Sequence, residues 1–329
     1  MNNFSDYIST QFVLALAPME DITDSAFRQI CKSFGADIVV SEFIAADGLI
    51  REAEKSRRKL DFLEMERPLG IQIFGNNVES VVAAVKIAEE ANPDFIDLNF
   101  GCPVKKVVDK GGGAALLKDI PKMIHITSEV VKSTYLPVTV KTRLGWDEKS
   151  IVIHNLAEQL QDVGIAMLTI HGRTKAQMYK GEANWIPIGE VKNNPRIQIP
   201  IIGNGDIDSP EIALEVKNKY GVNGIMIGRA AIGNPWIFRD IKDFLNKGKK
   251  AQTVSVHERI EVVKGQLQSS ISHKGERLAV LETRKHYSGI FRALPDFRPF
   301  RMKLVVADSL EEVYVIFNEI EEFYRTNWK

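Results

Sequence analysis

The chain has little cysteine. Among its 329 residues only Cys31 and Cys102 carry thiols, far apart and without C-x-x-C spacing. That excludes a disulfide framework and the usual paired-cysteine zinc sites, so no metal centre is expected. It has no excess of charge either, because 43 Lys and Arg balance 43 Asp and Glu. A surface for a polyanion must therefore be a local patch. Long apolar runs are missing. The N-terminal "FVLALA" (12–17) falls far short of the roughly 20 residues needed to span a bilayer, and no basic stretch with an apolar core precedes it. A soluble cytoplasmic protein with reduced thiols and no membrane partner is the expectation. The nucleotide fingerprints are incomplete: "GNGDID" (203–208) lacks the last glycine of G-x-G-x-x-G, and no glycine loop continues into GK[ST]. These gaps disfavour a Rossmann or Walker site.

Short apolar runs are present in number, at 12–19, 36–44, 69–74, 95–100, 137–143, 167–173, 199–206 and 223–229. Between them lie segments such as "NNVESVVAAVKIAEEA" and "EKSIVIHNLAEQLQDVG", whose apolar residues recur every three or four positions. In "GDIDSPEIALEVKNKYG", Ser209 before Pro210 reads as a helix N-cap followed by proline at the first helical position. Such alternation is the pattern of an α/β protein built as a (β/α)8 TIM barrel. A doubly wound sheet competes with it, since alternation alone does not establish closure. Past residue 243 the strands stop and helical patterns continue to the end. The expected organisation is a barrel over 1–243 and a small all-helical C-terminal domain over 244–329.

Side chains alternate faces along a strand. The apolar residues Ile71, Ile73, Ile96, Leu98, Val138, Val140, Leu168 and Ile170 form one set, suited to packing under the outer helices. The opposite set points into the barrel, and its polar members stand late in each strand, where barrel active sites are built. Gln72, Asn99, Lys141 and His171 should thus converge on one pocket. Singly each has a plain alternative: a lysine in an ion pair, a histidine or amide satisfying nearby backbone. Four at one parity favour a site. "GNGD" (203–206) and "GR" (228–229) follow the last two strands, where barrels commonly bind phosphate, although tight turns alone would also call for glycine.

Several stretches carry a resemblance: "APMEDITD" (17–24), "IQIFG" (71–75), "DLNFGCPVKKV" (97–107), "GGGAALL" (111–117), "VKTRLGW" (140–146), "TIHGRTKAQMYKGEANW" (169–185), "IIGNGDI" (201–207), "MIGRAAIGNPWIF" (226–238) and "TRKHYSGIF" (283–291). Together they resemble the bacterial tRNA-dihydrouridine synthases, flavin enzymes that reduce uridines in the D arm of tRNA. The resemblance implies an FMN-binding barrel followed by a helical tRNA-binding domain, with NADPH or NADH as reductant. It implies that Pro18, Met19 and Glu20 lie against the flavin and that Gln72, Lys141 and His171 contact it. Asn204, Gly205, Asp206, Gly228 and Arg229 would hold its phosphate end. Cys102 would be the proton donor, with Asn99 touching flavin or uracil. Arg143 and Arg173, above Lys141 and His171, are expected to meet RNA, and Arg284 and Lys285 to contact the tRNA backbone. A monomer is expected. Three departures from the family pattern are Glu20-Asp21 after A-P-M, Phe100 where methionine is frequent, and a third glycine in "KGGGAAL" that would loosen the loop.

The chemistry asks a particular state of Cys102. Reduction of C5=C6 places a hydride on C6 and a proton on C5. A thiol of ordinary pKa, about 8.5, remains protonated near neutrality and can donate. A cation at the sulfur would favour thiolate and oppose this role, so Lys105 and Lys106 are expected to face RNA or solvent. The segment "KKVVDKGGG" (105–113) would then be a loop that closes over an inserted uridine. Two rival readings remain: a flavin barrel acting on a free pyrimidine, in the manner of a dihydroorotate dehydrogenase, and a tRNA-binding factor with a vestigial flavin site.

Overall fold

The structure, a computed structural model, describes residues 4–327. Nine parallel strand segments form one sheet: β1 (Val13–Leu16), β2 (Ile38–Val40), β3 (Ile44–Ala45), β4 (Leu69–Phe74), β5 (Phe95–Asn99), β6 (Val138–Arg143), β7 (Met167–His171), β8 (Ile201–Asn204) and β9 (Gly224–Ile227). β1 pairs with β9 and with β2, and both β2 and β3 pair with β4, so the ring closes. The second apolar run is interrupted into β2 and β3, which share one barrel position. A doubly wound sheet, which has two free edges, is thereby excluded.

Outer helices form where capping chemistry starts them. Ser209 Oγ accepts from Ile212 N at 3.3 Å ahead of the helix Pro210–Tyr220, and Gly221 ends that helix with φ +66°. Asn77 caps the helix Val78–Glu90 in the same way, through Ser80 N at 2.7 Å. The helix expected from residue 148 begins only at Ile153. Before it, Asp147 and Ser150 close a side-chain turn at 2.8 Å and Gly145 bridges Ile151, so the preceding residues are held in a loop.

The alternation of faces holds. Ile71, Ile73, Ile96, Leu98, Val138, Val140, Leu168 and Ile170 join the apolar layer under the helices. Inside the ring a smaller cluster of Val13, Ile38, Phe95, Met167 and Ile202 fills the floor. Gly70 makes room for Phe95, since a Cβ there would lie 2.1 Å from its ring. Phe4, from the helix Phe4–Thr10, stacks on Phe95 at 4.4 Å and stops the barrel axis from below.

The position after 243 falls inside the helix Ile237–Lys247, whose Ile237, Phe238 and Ile241 pack in the barrel layer. Four helices follow, Val256–Lys274, Glu276–Ile290, Arg298–Val306 and Leu310–Asn327, around a separate core that includes Leu267, Tyr287, Phe291 and Phe317. Trp236 belongs to this second core and stands edge-on to Phe34 at 5.6 Å. Lys274 Nζ reaches Asp24 Oδ2 at 2.6 Å, and Lys285 Nζ donates to the carbonyl of Asp21. Among the described residues, no helix is long and apolar enough to cross a membrane.

The tightest junction between the two cores is backbone on backbone. A Cβ on Gly289 would meet Ile232 O at 2.7 Å and Gly233 Cα at 2.9 Å. Gly289 lies within a helix, where alanine is favoured over glycine by about 1 kcal/mol. Overpacking a closed contact costs about 1–3 kcal/mol, so the overlap decides the sign. Gly289→Ala is expected to lower the thermal unfolding midpoint. An unchanged or raised midpoint would show that the junction is loose.

Candidate active site

Register, more than proximity in sequence, assembles the site. Along the hydrogen-bonding direction Arg143 faces His171, His171 faces Asn204, and Asn204 faces Met226. One step lower, Asn99 faces Lys141 and Lys141 faces Thr169. Lower again, Gln72 faces Asp97 and Asp97 faces Thr139. The upper two rows open into a cavity of about 680 Å³ at the C-terminal ends of the strands, within the size range of small-molecule sites.

Pro18, Met19, Glu20, Asn99, Cys102, Lys141, Arg143, His171, Asn204, Gly205, Asp206, Gly228 and Arg229 all line it. Lys141 Nζ donates to Asn204 Oδ1 at 3.0 Å, while Asn204 Nδ2 is anchored on Met226 O at 2.7 Å. Burial, and next the neighbouring Arg143, lower the Lys141 pKa to about 8. Burial likewise holds His171 well below its ordinary value, with Lys141 adding to the effect, so the imidazole is neutral.

Cys102 is 8% exposed. Its turn is fixed by Asn99 Oδ1, which accepts from Gly101 N at 3.0 Å and Cys102 N at 2.9 Å. Burial raises the thiol pKa and outweighs the opposing pull of the Val104 backbone N–H, Arg143 and Lys141. Lys105 and Lys106 are exposed, as expected. Their segment is a helical turn, Lys105–Val108, with Val107 buried, in place of an open loop. The third glycine is a close-packing requirement: Gly113 has φ +56°, and a Cβ there would lie 2.9 Å from Cys102 O.

Four expected contacts are placed differently. Gln72 is fully buried behind the cavity wall, bonded to Asp97 at 2.6 Å and to Asn99 at 2.8 Å. Arg173, 2% exposed, forks onto Asp206 at 2.9 and 2.7 Å and binds the carbonyls of Lys180 and Gly181, so its donors are engaged within the protein. Arg143 reaches the cavity, yet its guanidinium is tied to Gly101 O at 2.7 Å, Thr174 O at 3.0 Å and Met178 O at 2.9 Å. Arg284 is pinned within the helical part on Ala307 O and Asp308, both at 2.7 Å. These arginines hold loops in place because each ends beside backbone carbonyls or a carboxylate that alternation cannot reveal. Asp206, although burial opposes it, keeps a lowered pKa through Arg173 and the N–H of Ala183.

Glu20 turns toward Lys59, 2.6 Å away, and Lys55 lies 3.5 Å from Asp21. The carboxylates of Glu20, Asp21 and Glu42 converge, and these two lysines supply the countercharge. Sequence reasoning overlooked Tyr179, which lies 5.7 Å from the Arg143 guanidinium and 5.5 Å from that of Arg229. It also missed the reach of Arg292, which brings a cation from the helical part to the cavity. Tyr179 lies within "TKAQMYKG", a stretch whose quotation could have flagged it.

A closed parallel barrel with a cavity at its mouth, lined by cations and by a buried thiol whose pKa burial raises, is the architecture of a barrel enzyme. The profile of the family described as "Dihydrouridine synthase (Dus)" matches residues 15–324. The chain is 36% identical to a probable tRNA-dihydrouridine synthase of Rickettsia conorii over 312 residues, covering 94% of this chain and 93% of that protein. It is 39% identical to tRNA-dihydrouridine synthase B of Pseudomonas aeruginosa over 291 residues, covering 88% and 86%. The chain belongs to the dihydrouridine synthase family. In fold it is similar to histamine dehydrogenase from Rhizobium sp. 4-9, at TM-score 0.52 and 12% identity over 78% of this chain and 48% of that one. It is also similar to 6-hydroxypseudooxynicotine amine oxidase from Pseudomonas geniculata, at TM-score 0.55 and 13% identity over 76% and 50%.

The raised thiol pKa has a direct readout. Iodoacetamide should modify Cys102 slowly at pH 7, with the rate climbing only above the ordinary cysteine value of about 8.5. Fast alkylation at neutral pH would mean a thiolate and would remove the acid role.

Proposed function

We propose that the chain reduces the C5=C6 bond of a uridine in the D arm of tRNA, with FMN as cofactor and NADPH or NADH as reductant. The observation that carries this reading is the placement of Cys102, 8% exposed, beside Asn99, Lys141 and His171 on the wall of the cavity at the barrel mouth.

The donor set fits a flavin phosphate. Three carboxylates line the cavity: Asp206, paired with Arg173 and Arg229, Glu20, paired with Lys59, and the exposed Asp208, against the four cations Lys141, Arg143, Arg229 and Arg292. Lys141 has only the neutral Asn204 as a hydrogen-bond partner, and Arg292 has no ion pair among the described residues. Positive charge is thus left for an anion. Arg229 and the glycines Gly205 and Gly228 would hold the phosphate end, with Pro18, Met19 and His171 against the ring system. Lys141 would face the part of the ring that carries negative charge on reduction. The chemistry a bound flavin supplies is hydride transfer, here to C6 of the uracil.

The protein's own groups do the rest. Asn99 fixes the turn that presents Cys102. The Cys102 thiol gives its proton to C5, where negative charge grows as C6 is reduced, and its elevated pKa keeps that proton available near pH 7. The uridine must leave its stack to bring C5 to Cys102 on the cavity wall, as enzymes acting on a base generally require. The helical part supplies backbone contacts. Because Arg284 is pinned and Lys285 is turned to Asp21, the exposed Arg292, Arg298 and Arg301 replace them as the phosphate contacts.

Cys102→Ala should keep its bound flavin and lose most uridine reduction in undermodified tRNA; wild-type turnover would refute the acid role. Free uracil or orotate turned over in preference to tRNA would favour the free-pyrimidine reading. Binding of tRNA should weaken steeply with salt, with a smaller salt slope in Arg298→Ala/Arg301→Ala than in Arg284→Ala. Salt-insensitive binding, or the reverse order, would move the RNA surface elsewhere.

A further inference from the structure

A buried hydrogen-bond chain runs beneath the cavity to the turn that bears Cys102. At its upper end two backbone donors, Gly101 N and Cys102 N, enter Asn99 Oδ1 at 3.0 and 2.9 Å. Asn99 Nδ2 donates to Gln72 Oε1 at 2.8 Å, and Gln72 Nε2 donates to Asp97 Oδ2 at 2.6 Å. Asp97 Oδ1 accepts from the Thr139 hydroxyl. All four side chains are buried, Gln72 and Thr139 completely, Asp97 to 2% exposure and Asn99 to 6%.

We propose that Asp97 is a positioning residue for the acid Cys102, acting through Gln72 and Asn99. The inference rests on the reading of Cys102 as proton donor. An amide carries a donor at one end and an acceptor at the other, so each amide in the chain must take one orientation. Two N–H donors close the chain at the cysteine turn, and an acceptor-only carboxylate closes it at the floor. Both amides are therefore locked the same way, with no polar atom left in conflict. A carboxylate makes the stronger terminal bond and polarises the bonds above it. A neutral floor residue without an acceptor would leave Gln72 Nε2 buried and unpaired, which favours rearrangement.

A second role, countercharge for Lys141, acts through space without a bond: Lys141 Nζ is bonded to Asn204 and both Asp97 oxygens to Gln72 and Thr139, while Lys141 opposes the rise that burial imposes on the Asp97 pKa. Asp97 also lies two residues before Asn99 on β5, facing the same interior, and the hydrogen-bonded route from it to the turn runs through Gln72 and Asn99.

Three variants test the relay: Asp97→Leu, Gln72→Met and Asp97→Asn. In flavin-free protein, hydrogen exchange at the Gly101 and Cys102 amides and the iodoacetamide rate at Cys102 are read first. Asp97→Leu should speed exchange at both amides. In the loaded enzyme it should lower kcat by about ten- to a hundredfold, the scale of a slight misplacement, with KM for tRNA unchanged. Asp97→Asn should recover most of that kcat. Its carbonyl can accept from Gln72 while its amide faces Thr139, whose hydroxyl turns to Ile96 O at 3.4 Å. If Asp97→Leu does not fold, Gln72→Met cuts the chain at its middle, and the same two amides should lose protection. Wild-type exchange and kcat in Asp97→Leu or, if that variant does not fold, wild-type exchange in Gln72→Met would overturn the proposal. So would an Asp97→Asn as impaired as Asp97→Leu, which would reassign Asp97 to countercharge. If the wild-type protein reduces no uridine, the functional reading fails, while amide exchange in the flavin-free variants still decides the relay.

Discussion

The stagger of a closed parallel barrel governs where every functional group stands. Rows of paired residues descend as they pass round the ring. The row holding Asn99 and Lys141 near the mouth continues through Thr169 and Ile202 to Gly224 and Val13 at the floor. In that row Asn99 and Lys141 stand at the cavity, while Ile202 on β8 and Val13 on β1 pack in the apolar base. One geometric rule thus separates the cavity from its support without a second layer of specialised structure.

Positive charge at the mouth is sorted by what meets it. Arg143 and Arg173 are tied to carbonyls and to Asp206, and so stitch the segment after β7 to the cysteine turn and to β8. Lys141 and Arg292 face the cavity with no ion pair among the described residues, and Arg229 lines it while paired with Asp206. The first pair gives the site its shape and the second group its attraction for anions. Neutral His171 and protonated Cys102 follow from burial in the same wall, since low-polarity surroundings disfavour charge on either.

Much of this was legible in the sequence. Two-residue alternation identified the inward face of β4 to β7, and the capping signals of Ser209-Pro210 survive as an actual N-cap. The motif around Cys102 marked the thiol that lines the cavity. Closure was not legible, because the pairing of β1 with β9 joins residues at opposite ends of the barrel sequence. The fates of Gln72, Arg173 and Arg284 were hidden for a related reason. Alternation assigns a face, whereas a side chain's partner depends on loops folded from elsewhere, as when Asp206 arrives to engage Arg173. Arg292 carries no motif, and only the packing of the helical part against the barrel, closest at Gly233 and Gly289, shows that it reaches the cavity. The third glycine read as slack in the loop, yet it stands where a Cβ would press on the carbonyl of Cys102.

The stacked rings of Phe4 and Phe95 have a kinetic corollary. They make the barrel a blind chamber, with traffic through its upper door. A reductant and a folded RNA that both need that door must take turns. Under the proposed function the enzyme is therefore built for a ping-pong cycle, in which the first visitor departs, leaving its electrons behind, before the second is admitted.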